Sequence, residues 1–531
     1  ESGYMTDAAS GVPNYPLKEA GAITITDASI DGDVVWSADN EYVLEGFVFV
    51  EDGETLTIEP GTVVRGKPGS GANASALIVA RGGKIFANGT ADKPIIFTAL
   101  DDDLSDPNDF GPGDTGEWGG LILLGKATLN SPEASGTPIQ DNIEGIPTTE
   151  PRGQFGGTDD NDSSGSLRYV SVRHGGSNIG ANNEINGVTF GGVGRGTTVE
   201  FIEVFANQDD GFEFFGGTVE AKYLVASYCG DDSFDYDQGY RGKGQFWFTQ
   251  AAGDRGGEHD GDVDDLNNLP LSNPTIYNVT YLGSGSGSGD ALKLRENAAG
   301  KYYNSIFAHF GDKAIDVEAD IEDSDGNKIG DDPTKDNITS GDLDIRDNIF
   351  YSFGSSKANN SSSNAQVFFT ETDRNNVFAD PQFGNYTIAQ GLNPMPQAGS
   401  PALESGRDEI ADGFFSDVDF KGAFGSVNWA GGWTILVESG YMTDAASGVP
   451  NYPLKGAGRI SDINLINGGT EMQFSILGEV GKTYTVQSIS SLGSSNWSDV
   501  QSVSGQGHMI TITVPMSDDP EAAEFFRINI Q

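Results

Sequence analysis

The chain has 531 residues, of which 79 are Asp or Glu and 30 are Lys or Arg, leaving a formal charge of −49. Such a charge repels nucleic acid and anionic membrane surfaces, which excludes nucleic acid as a partner, and makes the chain a sink for hard cations. A single cysteine, Cys229, rules out an intramolecular disulfide, and no apolar run approaches the ~20 residues of a membrane-spanning helix.

Residues 1–24 are polar, proline-bearing and aperiodic, and read as an arm ahead of the folded part. The chain begins at Glu1 rather than Met, which fits a mature secreted protein whose signal peptide is gone. Short strands bounded by Gly, Asn, Asp or Pro follow at 42–50, 55–58, 62–65, 76–80, 84–87 and 94–98. Insertions rich in Asp, Gly and Asn interrupt the pattern at 101–116, 131–166, 252–274 and 319–339, and strands resume at 291–295, 302–310 and 343–352.

The stretch 199–217 decides the architecture, because it lies without a gap over 221–239 at an offset of 22 residues. Asp209 falls over Asp231, Asp210 over Asp232, Phe212 over Phe234, Glu213 over Asp235, and Gly217 over Gly239. A further step of 22 carries Leu224 to Phe246 and Asp232 to Asp254. Self-similarity at such a period marks a solenoid, in which each repeat is one coil stacked on the last. The fold expected is therefore all-β: a parallel β-helix over 25–436, a linker over 437–459, and a small β-sandwich over 460–531. The last unit shows alternating strands at 472–477, 483–489, 508–514 and 524–530, with Trp497 as the expected core anchor.

Several segments resemble a family of secreted bacterial right-handed parallel β-helix proteins. They are Leu56-Thr-Ile-Glu-Pro-Gly-Thr-Val-Val-Arg-Gly66, Ser75-Ala-Leu-Ile-Val-Ala-Arg-Gly82, Trp118-Gly-Gly-Leu121, Asn207-Gln-Asp-Asp-Gly-Phe-Glu213 and Gly239-Tyr-Arg-Gly-Lys-Gly-Gln-Phe-Trp247. Asn428-Trp-Ala-Gly-Gly-Trp433 looks like that family's terminal cap. The resemblance implies the hand of the helix and export, and little about activity. Tyr484-Thr-Val-Gln-Ser488 and Phe525-Phe-Arg-Ile528 resemble the small β-sandwich at the C-terminus of many exported bacterial proteins, which implies a secreted or cell-surface location and an anchoring or connecting role.

Adjacent coils lie about 4.8 Å apart. The register therefore brings Asp209, Asp210 and Glu213 within about 5 Å of Asp231, Asp232 and Asp235, and like charges so close raise one another's pKa or require a counter-cation. Lys222, Arg241 and Lys243 are candidate organic counter-ions; Ca²⁺ suits the oxygen-rich set better. The alternative is a ladder of turns whose Asp side chains cap backbone N–H groups. A second calcium loop is read at Asp323-Ser-Asp-Gly-Asn-Lys-Ile-Gly-Asp-Asp332, with Asp323, Asp325 and Asp331 as ligands. Aligned on its glycine as an EF-hand it places Ile321 at the first ligand position, so the match is imperfect.

Polygalacturonase-like β-helices cleave acidic polysaccharides with an Asp trio, a Gly-His motif and an Arg-x-Lys. Asp209-Asp210, Asp231-Asp232, Arg241-Gly-Lys243 and Gly257-Glu-His-Asp-Gly261 resemble those parts, in a different order. His174, His259, His309 and His508 are too scattered for zinc.

Residues 1–18 recur without change as 438–455, one copy ahead of each β-unit. One reading is a duplicated linker. The other is a docking peptide whose anchors are Tyr4, Met5, Tyr15 and Leu17 in the first copy and Tyr441, Met442, Tyr452 and Leu454 in the second. One copy would dock in cis and one across a subunit boundary, giving a homo-oligomer or a head-to-tail filament. The function expected is a secreted structural protein, self-assembling or adhesive and stabilised by Ca²⁺. Binding or cleavage of acidic glycans is the alternative.

Overall fold

In the computed structural model the described residues are 22–531, with Met5–Thr6 and Pro13–Asn14, except 107–108, 131–138, 181–182, 262–265, 267, 323–327, 355–359, 405, 454, 456–459, 467–469, 479–481, 491–496, 506–507, 517–524 and 531. Two compact units emerge: Glu1–Arg407 with Phe420–Pro450, and Asp408–Asp419 with Asn451–Gln531.

The first unit is a parallel β-helix. One sheet stacks nine strands in parallel, from Phe47–Val50 through Val188–Gly191, Phe212–Phe215, Phe234–Asp237, Gly257–Asp260 and Leu292–Arg295 to Asp316–Val317. The expected register holds, with Val199 on Ala221, Phe212 on Phe234 and Glu213 on Asp235. The next step differs. Leu224 lies on Trp247 rather than Phe246, and Asp235 on Glu258, so that coil has 23 residues. The extra residue sits in the turn after Asp237, where Tyr240 folds inward, stacks on Phe214 at 4.7 Å and donates its hydroxyl to the Val219 carbonyl.

The interior is aromatic. Phe190 stacks on Phe214 at 5.1 Å, Phe212 on Phe234 at 5.4 Å, and Phe234 on Trp247 at 5.0 Å. Each such ring contributes about 1.5–3 kcal/mol by burial and roughly 0.5–1.5 kcal/mol more by stacking. Cys229 is buried beside this core, and burial pushes its thiol up to about 12.

A second aromatic column runs outside the coils. Strands Gly165–Arg173, Thr198–Phe205, Glu220–Ser227 and Lys243–Ala252 each bend at one residue, Tyr169, Phe201, Tyr223 or Phe246, with φ of 48°, 58°, 59° and 61°. An L-residue in this left-handed region costs roughly 1–2 kcal/mol. Stacking offsets that cost: the successive ring separations are 4.3, 4.3 and 4.9 Å.

This outer column is covered by the segment expected to cap the end of the helix. Residues 420–438 run back along its flank as a strap: Phe420 lies on Phe246, Trp429 on Tyr223 and Phe201, and Trp433 on Phe201 and Tyr169. The strap ends in the short helix Ile435–Glu438, where the Ile435 and Leu436 N–H groups donate to the buried Glu203 carboxylate at 3.0 and 3.1 Å. The indoles cover an exposed hydrophobic stripe that the coils themselves leave open, which is why they lie on the flank.

The second unit has two three-stranded antiparallel sheets. One contains Ile460–Ile466, Glu471–Gly478 and His508–Pro515; the other contains Ser498–Ser504, Thr483–Ile489 and Phe525–Ile530. Phe474, Ile476, Tyr484, Val486, Ile512 and Val514 form its core. Trp497 lies outside that core, part-exposed beneath the Arg527 guanidinium at 4.3 Å, where a cation over the ring takes the place of burial.

Candidate metal centre

The carboxylate ladder occupies the nine-stranded sheet and the turns that feed it. Gly211 makes the tight entry possible, since a Cβ there would meet the Ser233 carbonyl oxygen at 2.7 Å and Cys229 Sγ at 3.0 Å. Directly before it, Asp210 Oδ1 accepts the Asp232 N–H at 2.8 Å, and Asp232 Oδ1 accepts the Arg255 N–H at 2.7 Å. Each aspartate thus caps the next coil with one oxygen.

Two strand positions further along each coil, the outward side chains form the column Glu213, Asp235, Glu258, Lys293, Asp316. Four overlapping triads place one oxygen per residue within 4.8 Å of the others: Asp209–Asp210–Asp231, Asp210–Glu213–Asp235, Asp231–Asp232–Asp254 and Asp232–Asp235–Glu258. Six of the carboxylates read from the sequence are therefore brought together, and Asp254 and Glu258 join them.

The ladder is electrostatically lopsided. At one end Asp210, Glu213 and Asp235 are held well above the ordinary carboxylate range, first by burial and then by neighbouring carboxylates. Burial and Asp231 push Asp209 up to about 6, and burial with Asp209 pushes Glu144 up to about 7. Asn186 donates its amide to Glu213 and leaves its own buried oxygen without a hydrogen-bond partner. Towards the other end cations enter the column. Arg255 Nη1 lies 3.2 Å from Asp232, 3.0 Å from Asp254 and 3.0 Å from Glu258. Arg295 grips Asp260 with two hydrogen bonds of 2.9 Å, and Lys293 reaches Asp316 and Glu318 at 3.1 and 2.7 Å. There Asp316 is lowered despite its burial, because Lys293 and Lys313 stabilise its charge.

The counter-ions expected from the sequence are elsewhere. Arg241 pairs with Asp160, Lys243 with Glu220, and Lys222 lies on the other sheet between Glu200 and Gln245. Arg255 was legible only with the 23-residue coil, since a step of 22 from Asp232 stops one residue short of it. Glu144 comes from an insertion with no register, so no sequence signal pointed to it.

The glycosidase-like constellation does not assemble. His259 is fully buried, stacked on Tyr236 at 3.9 Å and hydrogen-bonded to the Tyr302 hydroxyl at 2.7 Å, and burial lowers it to about 3. It is a neutral core residue, remote in function from the outward carboxylates.

In the second loop, Asp331 accepts from Lys328 at 2.6 Å within the hairpin Asp320–Glu322/Lys328–Asp331, while Asp332 Oδ1 accepts the Thr334 N–H at 2.8 Å where the helix Thr334–Ser340 begins. Asp323 and Asp325 lie outside the described residues, as do Tyr4, Tyr15, Leu17 and Leu454. Met5 pairs through Met5–Thr6 with Pro13–Asn14. Tyr441 and Met442, expected in a linker, pack on the first unit: Met442 is buried and Tyr441 lies against Phe205 and Tyr228. Tyr452 is part-buried in the second unit.

Coil, register and ladder together define a parallel β-helix protein with an acidic outer column. The family described as "Pectate-lyase like beta helix domain" matches residues 28–391, and the chain belongs to it. No curated protein matches the chain.

Proposed function

We propose that this is a secreted or cell-surface scaffold whose β-helix takes up Ca²⁺ on its carboxylate ladder and which acts through assembly or adhesion. The observation that carries the reading is the Asp210–Glu213–Asp235 triad, in which the charges acting most strongly on each residue are other carboxylates. A hard cation with oxygen ligands answers that repulsion. The Asn186 oxygen and Glu144 are further donors at the same end. The second unit supplies an anchoring or connecting module, and the net negative charge keeps such a scaffold off nucleic acid and lipid.

The test is calorimetry of the full chain in EGTA and in millimolar Ca²⁺. A site saturated a hundredfold above its Kd adds about 2.7 kcal/mol, so the β-helix transition should rise by several degrees. A melting temperature unmoved by either additive overturns the calcium reading.

Binding of an acidic glycan is the second reading. One observation favours it: Asp209 and Asp231 form the outer edge of the ladder, so a cation held there keeps coordination positions open to solvent. A sugar carboxylate would fill them. Retention on acidic polysaccharides that disappears in EGTA supports it, and release of reducing sugar or unsaturated product would add cleavage.

A further inference from the structure

The N-terminal arm and the strap's continuation carry the same 18 residues. We propose that the surface holding residues 438–448 is an exchange site, which accepts residues 1–11 of a second copy of this chain. The inference rests on the assembly reading above and names its contact.

The resident copy is read side chain by side chain. Glu438 lies 3.4 Å from Arg173, the Tyr441 ring packs on Phe205 and Tyr228 with centroids at 6.0 and 5.4 Å, and Met442 is 1% exposed. Its backbone is read as well. The Leu392 N–H donates to the Tyr441 carbonyl at 2.9 Å, the Thr443 N–H donates to the Leu392 carbonyl at 2.8 Å, and the Asn428 side chain donates to the Thr443 carbonyl at 2.7 Å. Glu1, Tyr4, Met5 and Thr6 supply the same groups in the same order. A surface that recognises one copy recognises the other, since these contacts depend on sequence and not on which end of the chain supplies it.

The described residues of the first copy pair elsewhere. Met5–Thr6 pairs antiparallel with Pro13–Asn14, whereas its counterpart Met442 forms a parallel bridge with Leu392. The same Met-Thr dipeptide therefore takes two strand pairings, and the tether decides which copy docks. The resident copy starts at the last residue of the helix Ile435–Glu438 and acts at an effective concentration on the order of millimolar. A copy on another molecule matches it when the chain is packed to that concentration, as in a surface layer. Exchange then keeps the contacts to Arg173, Phe205, Tyr228 and Leu392 and gives up the chain continuity at the helix end, where the Ser439 and Gly440 N–H groups donate to the Ile435 and Val437 carbonyls. Because donor and acceptor surfaces differ, the contact is heterologous and propagates.

The test uses the full chain carrying Tyr441→Ala and Met442→Ala, which weakens the resident copy, and a labelled synthetic peptide of residues 1–18. The peptide is expected to bind this variant at least about tenfold more tightly than the unaltered chain, and to lose that gain when its own Tyr4 and Met5 are Ala. By light scattering, the variant should associate at a concentration about tenfold lower than the unaltered chain, and free peptide should reverse it. Failure of the peptide to bind, or a variant monomeric at every concentration, overturns the proposal. If the double variant does not fold, deletion of residues 1–18 from the otherwise unaltered chain decides: an unchanged onset of association overturns it. Association that survives both the deletion and excess peptide would sink this contact and leave the assembly reading standing. No association in electron micrographs at any concentration would remove both.

Discussion

At the residue scale the ladder turns on which carboxylates share a coil with a cation. Asp232 and Glu258 have Arg255 between them, whereas Asp210, Glu213 and Asp235 face one another. Replacing Arg255 by Gln leaves buried carboxylates uncompensated. Losing one partner of a buried pair costs about 3–5 kcal/mol, and the part-exposed guanidinium puts this case at about 2–3 kcal/mol near pH 7.5. The loss should shrink near pH 4.5, where the carboxyls are protonated; urea denaturation at the two pH values measures both. The same residues set an unusual pH dependence. Raised carboxyl pKa values mean that the folded state binds more protons than the unfolded one, so stability is fully present below about pH 4 and falls as pH rises through the folded values. For Asp209, Glu144 and Glu258 those values are about 6, 7 and 7, which places the fall between about pH 4 and 7. In EGTA the β-helix should melt several degrees higher at pH 5 than at pH 7.5, and Ca²⁺ should remove most of that difference. A melting temperature that rises with pH in EGTA would contradict the assignment.

At the scale of elements, a coil is specified by turn chemistry and a strap by the stripe it covers. Asp209-Asp210 and Asp231-Asp232 were legible because a coil of fixed length repeats its turn residues in register. The coil of 23 residues was not, since one extra residue in a turn leaves the strand pattern intact and shifts everything after it. The strap was misplaced for a related reason: Asn428–Trp433 resembles a terminal cap in the sequence, which does not say against which coils Trp429 and Trp433 pack. Trp433→Ala removes a fully buried indole that meets Tyr169 and Phe201 edge-on. It should cost about 3–5 kcal/mol. Limited proteolysis should then cut within 420–438 while the coils stay protected; cleavage inside the coils at the same rate would show that the strap is not a separate layer.

At the scale of the whole molecule, the two units have cores of unlike kind. One is a stacked column of coils whose charge repulsion is concentrated on a single face; the other is two small antiparallel sheets around Phe474, Tyr484 and Ile512. Calorimetry of the full chain should resolve two transitions, and only the β-helix transition should move with EGTA or Ca²⁺. A single transition, or a shift of both, would show that the acidic ladder does not act on the helix alone.

The repeat at 199–239 was enough by itself to determine the parallel β-helix and the stacking of Asp209, Asp210 and Glu213 on Asp231, Asp232 and Asp235, because backbone pairing at a fixed coil length transmits sequence register directly into space. Which charges remain unanswered was decided only by the tertiary structure. Arg255 enters through a one-residue change in coil length and Glu144 through an insertion, and neither distance along the chain nor residue type encodes that proximity. The same holds for the duplicated peptide: its identity is written in the sequence, but the surface that receives one copy is assembled from Arg173, Phe205, Tyr228 and Leu392, which only folding brings together.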